Sequence, residues 1–205
     1  MPKEIPWSAE YWNQRYLSGG CSGVGSRGKL AQYKASIVNA WITDLNLSSA
    51  VEFGCGDGVQ LGLFEFADYL GFDPSEEAVR RCREMYKDHR GKRFELLRDY
   101  EGETADAALS IDVVYHLVED DVFDAHLEML FGAATKLVVV YSSNHESSRH
   151  HHYRHRAVCD AIAVRYPCWQ LAAALPNLYP YDSTTGFGSL AEFYMYVPQC
   201  QLNSL

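Results

Sequence analysis

Three glycines at alternating positions form the clearest chemical motif in the sequence. They are Gly54, Gly56 and Gly58 in the stretch VEFGCGDG, which begins as a short apolar run. Glycine has no Cβ atom, so the backbone at these positions reaches unusual angles and lets a ligand lie against the main chain. A helix that begins after such a turn offers free backbone N–H groups to the same ligand. The motif therefore predicts a ligand-binding turn.

Asp73 is the second part of this predicted site. It ends another apolar run, 15 positions after Gly58. A carboxylate after the second strand of an α/β sheet accepts hydrogen bonds from ribose hydroxyls, so the turn and Asp73 together predict a nucleoside site. A dinucleotide-binding fingerprint would have its third glycine at position 59, where the sequence has Val59. This spacing disfavours the alternative of a dehydrogenase.

The elements that must position these residues alternate along the chain. Short apolar runs predict strands over residues 50–53, 69–72, 94–97, 105–111 and 135–141, with weaker candidates over 170–174 and 192–197. Such alternation of strands with helices implies right-handed crossovers and a mainly parallel sheet, with ligands at the carboxyl ends of the strands. We therefore expect one α/β domain, Rossmann-like, with a seven-stranded mainly parallel sheet and helices on both faces.

Helical patterns fill the intervals between these runs. They predict helices beginning near residue 30, over 59–66, from the N-cap Ser75 to about 87, from a cap at Asp120 or Asp121 to about 132, and over 153–165. Residues 1–45 are expected to form an N-terminal lid and helix, and residues 46–205 the core.

The GxGxG spacing, with Glu52 two residues before the first glycine, resembles motif I of class I S-adenosylmethionine-dependent methyltransferases. The resemblance continues in order through LGFD, LLRDY and DAALSIDV, and covers roughly residues 50–141. The segment YWNQRYLSGGCSGVGSRGKLAQYKASIVNAWI also resembles the N-terminal segment of a group of small bacterial methyltransferases. The resemblance implies an enzyme whose cofactor is S-adenosyl-L-methionine.

The resemblance also implies roles for individual residues in cofactor binding. Gly54 and Gly56 would approach the methionine moiety and Asp73 the ribose. Asp99 and Tyr100 would contact the adenine, although Asp99 is equally compatible with a surface turn. The end of the fourth strand would lie near the sulfonium. The full predicted set is Glu52, Gly54, Cys55, Gly56, Gly58, Asp73, Asp99, Tyr100, Asp112 and Val113.

Tyr115 and His116 are the predicted catalytic residues because they come directly after the fourth strand. The unperturbed pKa of histidine lies near neutrality, so His116 is suited to remove a proton from the acceptor and would give a rate that rises through pH 6.5. The alternative is a buried histidine that is hydrogen-bonded to the backbone.

Residues 145–156 hold five histidines, three arginines and one acid in a chain of net charge −9. Three explanations stay open. The segment binds an anionic acceptor near the pocket mouth, it binds a metal through His151 and His155, or it is a solvated loop. We expect no metal, because nearby acids and cysteines do not complete a ligand set. The predicted substrate-binding residues here and in the N-terminal segment are Tyr11, Arg15, Ser26, His152, Arg154 and Arg156.

The composition of the chain disfavours several classes of protein. The net charge of −9 disfavours binding to nucleic acid, and no apolar run reaches the ~20 residues of a membrane span. Six scattered cysteines and the lack of a secretory signal favour the cytoplasm. We expect methyl transfer to a small acceptor, anionic or sugar-containing, at oxygen. The alternatives are a methyltransferase acting on protein or RNA, and a non-catalytic cofactor-binding protein of the same fold.

Overall fold

The computed structural model describes residues 6–199 and contains one seven-stranded sheet. The strands are β1 (Ser49–Phe53), β2 (Asp68–Asp73), β3 (Lys92–Leu96), β4 (Ala105–Ile111), β5 (Ala134–Ser142), β6 (Trp169–Leu175) and β7 (Glu192–Pro198). Their order across the sheet is β3-β2-β1-β4-β5-β7-β6. Strands β1 to β5 are parallel, and β7 is antiparallel to both of its neighbours. All seven predicted strands and the Rossmann-like fold are confirmed.

Five α-helices are present in the described part of the chain. They are α1 (Trp7–Leu17), α2 (Gly28–Asp44), α3 (Glu76–Met85), α4 (Asp120–Ala133) and α5 (Val158–Arg165). Single 3-10 turns occur at Val24–Ser26, Gln60–Leu63, Leu97–Asp99 and Val114–His116. None of the described helices is both long and apolar enough to cross a membrane.

Apolar side chains cover both faces of the sheet. On one face, Val38 of α2 and Cys82 of α3 pack in a cluster with Leu109 of β4. On the other face, Leu127 of α4 and Ile162 of α5 pack in a second cluster. A parallel strand covered on both faces buries every side chain, which explains why β5 reads as an almost continuous apolar run.

The predicted helix boundaries were right where a side chain caps the helix. Ser75 caps α3, since its Oγ accepts a hydrogen bond of 3.2 Å from the Ala78 N–H. The predicted cap at Asp120 or Asp121 was wrong, because both residues lie inside α4 and Glu119 occupies the N-cap position. The Asp120 carboxylate instead receives two arginines, as described below.

Two predicted helices are shorter than expected. Only the single turn Gln60–Leu63 forms within 59–66. Residues 153–157 are not helical, because tertiary partners take their backbone N–H groups. The Arg154 N–H donates to the Tyr115 carbonyl at 2.8 Å, and the His155 N–H to Ser147 Oγ at 3.2 Å. These bonds draw the chain before α5 toward the end of β4.

Candidate active site

The glycine turn lies between β1 and the 3-10 turn that follows it. Gly54, Gly56 and Gly58 have φ values of 91°, 59° and 76°, the left-handed region that favours glycine. A Cβ atom at Gly54 would collide with Val113, and one at Gly56 with Ser22. The first two glycines are therefore required by conformation and by the close approach of these side chains, and together they form the glycine cradle.

Asp73 joins this turn to the end of β2. Its carboxylate is buried and accepts hydrogen bonds of 2.9 Å from the N–H groups of Gly56 and Ser75. Burial raises the pKa of Asp73 to about 6, although both hydrogen bonds favour the ionised form. The structure thus brings together the glycine turn and the acid that the sequence spacing paired.

Glu52 and Cys55 are buried beneath the turn. The Tyr69 hydroxyl donates a hydrogen bond to Glu52. Burial raises the pKa of Glu52 to about 7, against the lowering effects of Tyr69 and Lys34. A hydrogen bond with Cys82, together with burial, holds the pKa of the Cys55 thiol well above its usual value. Both residues support the turn from below, whereas Asp73 borders it.

The end of β4 carries a buried ion pair that the sequence analysis did not identify. Lys34 of α2 pairs with one carboxylate oxygen of Asp112, and the Tyr115 hydroxyl donates to the other at 2.7 Å. Asp112 has a φ of 61°, a strained value for a residue with a side chain. A sequence signal for Lys34 does exist, since it lies on the apolar face of α2 formed by Leu30, Ala31, Ala35 and Val38.

His116 lies beside this group in the 3-10 turn after β4. Its Nδ1 is 2.9 Å from the carbonyl oxygen of His152. A carbonyl only accepts, so Nδ1 carries the hydrogen and Nε2 keeps its lone pair. Burial lowers the pKa of His116 to about 4, so the imidazole is neutral at pH 7. The structure therefore combines the two alternatives, a backbone-bonded buried histidine that retains a basic nitrogen.

The N-terminal segment, residues 7–27, lies on the glycine turn. Ser22 and Asp57 exchange two hydrogen bonds, from the Ser22 N–H to the carboxylate at 3.1 Å and from the Asp57 N–H to Ser22 Oγ at 2.9 Å. Arg27 adds an ion pair to Asp57 at 2.8 Å. Arg81 of α3 donates to the carbonyl oxygens of Gly20 and Tyr16 at 2.8 and 2.5 Å. These contacts hold the segment against the cleft from above.

Residues 145–156, the histidine-rich segment, meet the N-terminal segment at the mouth of the cleft. The rings of Tyr11 and His152 stack with centroids 4.9 Å apart, and Trp12 contacts His116 edge-on at 4.7 Å. Ser26 is buried within its 3-10 turn. Arg15 donates to the Cys21 carbonyl at 2.8 Å, and its guanidinium lies 5.5 Å from the centre of the Trp12 ring. The two segments therefore enclose the region above His116.

Several proteins of known structure share this architecture. Residues 51–130 match the family model described as “Methyltransferase domain”. The magnesium protoporphyrin IX methyltransferase from Synechocystis PCC 6803 with bound SAM superposes with a TM-score of 0.66 at 15% identity, over 97% of this chain and 100% of that one. The methyltransferase domain of bacterial-CtHen1-C gives a TM-score of 0.62 at 20% identity, over 82% and 97% of the two chains. No curated protein matches the sequence.

Residues 51–130 match a methyltransferase domain, and the chain has the class I fold of S-adenosylmethionine-dependent methyltransferases. It is an enzyme, and its cofactor is S-adenosyl-L-methionine. The residues present fit that cofactor, since the three glycines form a tight turn after β1 and the buried carboxylate of Asp73 lies at hydrogen-bond distance from the Gly56 N–H. The match to a methyltransferase domain contradicts the alternative of a dehydrogenase.

Two predicted adenine-contacting residues follow β3 in the methyltransferase. Asp99 is exposed at the end of a 3-10 turn. Tyr100 is half-buried, and its ring packs edge-on against Phe53 and Phe72 with centroids 5.1 and 5.3 Å away. Tyr100 is thus fixed against the core, while Asp99 projects from the surface. Their contacts with adenine stay predictions.

Arg154 and Arg156 are not the free guanidinium groups that the sequence analysis expected at the pocket mouth. Both pair with the Asp120 carboxylate, at 2.9 and 2.6 Å. The side chain of Arg156 is 7% exposed and also donates to the carbonyl oxygens of Leu117 and Val118. These arginines fasten the histidine-rich segment to the start of α4, and their contact with an acceptor stays a prediction.

The metal alternative has no support in residues 6–199, where no group of three histidine, cysteine or carboxylate side chains is arranged to hold an ion. His155 instead pairs through Nδ1 with Ser143 Oγ at 2.6 Å and stacks on His145 with centroids 4.5 Å apart. Burial lowers the pKa of His155 as well as that of His152. Burial therefore favours the neutral form of His152 and His155.

Proposed function

We propose that this methyltransferase methylates an oxygen atom of a small acceptor that carries a carboxylate or phosphate group. The acceptor can also contain a sugar. The observation that carries the proposal is the neutral imidazole of His116, whose Nδ1 is bonded to the His152 carbonyl and whose Nε2 keeps a lone pair. A neutral base beside the end of β4 suits an acceptor that must lose a proton, as a hydroxyl does.

The chain's own residues supply binding, orientation and proton removal. The bound cofactor supplies an electrophilic methyl group on a positively charged sulfur. The glycine cradle and Asp73 hold the nucleoside, and Tyr115 is fixed by its hydrogen bond to Asp112. His116 takes the proton of the acceptor hydroxyl on Nε2. An acceptor oxygen that is already ionised has no proton for Nε2 to take, so the role of His116 as a base requires a protonated acceptor oxygen.

The two-sided enclosure supports a small acceptor. The N-terminal segment and the histidine-rich segment touch through Tyr11 and His152, directly above the region of His116. A polymer would have to displace one of these segments to reach the end of β4. Enclosure also excludes water, which strengthens electrostatic interactions during the transfer.

Two cations at the mouth support an anionic acceptor. Most lysines and arginines within residues 6–199 are paired with carboxylates, but Arg15 and Arg149 have no carboxylate at ion-pair distance. They lie over the rings of Trp12 and Trp7, at 5.5 and 5.4 Å from the ring centres. Arg15 uses its Nε for the Cys21 carbonyl, which leaves its terminal NH2 groups for a carboxylate or phosphate, and a guanidinium group on an aromatic face still donates from its edge.

Structural neighbours include enzymes of several acceptor classes. One is named a mitomycin 7-O-methyltransferase and another a putative RNA methyltransferase from Pyrococcus horikoshii. The net charge of −9 and the pairing of most surface cations favour the small-molecule class, because binding to nucleic acid requires cations free to neutralise phosphates.

Labelled transfer from S-adenosylmethionine tests the proposal. The purified protein is incubated with the methyl-labelled cofactor and an extract of the source cells, separated into protein, RNA and small-molecule fractions. We expect label in a small molecule that is retained on an anion exchanger and carries a methyl ether or ester. The proposal is wrong if the label enters RNA or protein, or a product that carries no anionic group.

A further inference from the structure

A buried ammonium group lies at the centre of the acid-lined cleft. The side chain of Lys34 is 1% exposed, and that of its partner Asp112 is 16% exposed. Burying a charge is costly unless it is paired and hydrogen-bonded. Lys34 and Asp112 together carry little net charge. The ammonium group also lies 5.2 Å from the centre of the Tyr141 ring. Lys34 is therefore held on two sides.

Two carboxyl groups lie near this ammonium group, since Asp112 pairs with Lys34 and Glu52 interacts with it electrostatically. Glu52 also interacts electrostatically with Asp73, whose carboxylate borders the glycine turn. An excess of acids over cations suits a cofactor that carries a positive sulfur. Without Lys34, the Asp112 carboxylate would present a full negative charge within a buried region, where charges act strongly on one another.

The ion pair lies directly beside the cofactor cradle. Asp112 follows β4, and the side chain of the next residue, Val113, fills the space over Gly54. From above, Gly25 of the N-terminal segment approaches the Asp112 carboxylate. A ligand bound at Gly54 and Gly56 therefore lies close to both charges, and charges interact strongly over short distances in a protein interior.

We propose that Lys34 sets the charge balance at the sulfur of the cofactor, by offsetting the Asp112 carboxylate. The transfer breaks the C–S bond and forms the C–O bond, the electron pair stays on sulfur, and the acceptor proton passes to His116. Positive charge therefore leaves the sulfur position as the reaction proceeds. A bare carboxylate there would stabilise the charged reactant more than the transition state and slow the transfer. Lys34 is a positioning residue in this scheme, since it acts through Asp112.

Comparing two ligands of opposite charge state at sulfur tests this proposal without any acceptor. S-adenosylmethionine is positive at sulfur and S-adenosylhomocysteine is neutral, so the ratio of their Kd values reports the field at that atom. Calorimetry gives both values. We expect Lys34→Met to tighten the charged ligand relative to the neutral one by about tenfold, and Asp112→Asn to shift the ratio in the opposite direction.

Lys29→Met is the matched control, because Lys29 is exposed on the same helix. We expect it to leave the ratio unchanged. Tyr115→Phe removes a hydrogen bond to Asp112 but no charge, so it should move the ratio by less than about twofold. A shift as large as that of Lys34→Met would show that geometry and not charge is responsible, and would overturn the proposal.

Lys34→Met leaves Asp112 buried without a partner, so the protein could fail to fold. The double variant Lys34→Met/Asp112→Asn removes both charges together and is expected to fold. Its ratio should equal that of the native protein. An unchanged ratio in Lys34→Met, or a double variant that behaves like Asp112→Asn, would refute the role of Lys34. Since no acceptor enters the measurement, either result is independent of the proposed acceptor class.

Discussion

The titration of His116 is set by its surroundings. Burial lowers its pKa to about 4, whereas the type of residue alone led to an expected inflection at pH 6.5. We therefore predict that the imidazole stays neutral, with the hydrogen on Nδ1, from pH 8 down to about pH 5. Nitrogen NMR of the histidine side chains measures this directly. A protonated ring at pH 6 would contradict the assignment of His116 as a neutral base.

Asp73 predicts a pH dependence of cofactor binding. Because burial raises its pKa to about 6, the carboxyl group takes up a proton below that pH and no longer accepts from both ribose hydroxyls. The Kd of S-adenosylhomocysteine should rise by up to about tenfold per unit as the pH falls below 6. Asp73→Asn should weaken binding by about 1–3 kcal/mol at pH 8 and flatten the pH profile. Calorimetry across pH 5 to 8 checks both.

Individual site residues were predictable from the sequence where they belong to one backbone turn. Gly54, Gly56 and Asp73 were predictable because their positions after two strands determine their proximity. Lys34 was missed because its place on an apolar helix face does not show that it pairs with Asp112, which is 78 positions away. The pairing of Arg154 and Arg156 with Asp120 was not predictable, because the sequence does not show that the Asp120 carboxylate is within reach.

The N-terminal segment packs over the glycine cradle, and we expect it to control access to that site. Tyr16 and Ser22 occupy the space over Gly56, and Asp57 and Arg81 hold the segment in place. We predict that hydrogen exchange across residues 10–30 slows when S-adenosylhomocysteine binds, because the ligand adds contacts beneath these residues. Exchange in α4 serves as the internal reference. Unchanged exchange over 10–30 at saturating ligand would mean that the segment is not a lid.

Helix α4 is secured to β4 by a neutral histidine. His126 is buried, and its Nε2 lies 2.8 Å from Ser110 Oγ. Burial lowers the pKa of His126 to about 4, whereas an unfolded histidine titrates near 6.5. As the pH falls from 6.5 toward 4, the unfolded state binds more protons than the folded state, so stability is lost over that window.

His126→Gln isolates this effect, since glutamine does not titrate. The native protein's advantage in unfolding free energy over the variant should shrink by about 2–3 kcal/mol between pH 7 and pH 4.5. Urea unfolding at the two pH values measures the difference, and the other buried histidine, His116, is common to both proteins and cancels. If the difference in unfolding free energy between the two proteins does not change with pH, then protonation of His126 does not cause the loss of stability.

Elements were predictable where a local pattern determines them. The apolar runs of β1 to β5 and the cap at Ser75 carry their own signals. Helix α1 lacks such a pattern, because its sequence, WSAEYWNQRYL, is polar and aromatic, and it is held by contacts with α3 and the histidine-rich segment. The end of the predicted helix over 153–165 was right and its start wrong, for reasons of tertiary hydrogen bonding.

At the scale of the whole molecule, the cleft is enclosed by two segments that are far apart in sequence. The N-terminal segment is fastened to the glycine turn and α3, and the histidine-rich segment to the start of α4 through Asp120. Their contact over His116 means that one segment closes against the other. Acceptor entry and cofactor release should therefore depend on both.

The coupling between the segments is measurable as a double-mutant cycle on the dissociation rate of S-adenosylhomocysteine. Tyr11→Ala and His152→Ala each remove one ring of a stacked pair whose centroids are 4.9 Å apart. If the segments open together, the two effects should be non-additive by about 0.5–1.5 kcal/mol, the range for an aromatic pair.

His150→Ala and Tyr153→Ala form the matched control, because these rings stack at 4.8 Å within the histidine-rich segment and do not bridge the cleft. The control pair should show no coupling in the dissociation rate, even if it shows coupling in stability. Additive effects of Tyr11→Ala and His152→Ala would mean that the segments open independently, and the acceptor would then need to displace only one of them.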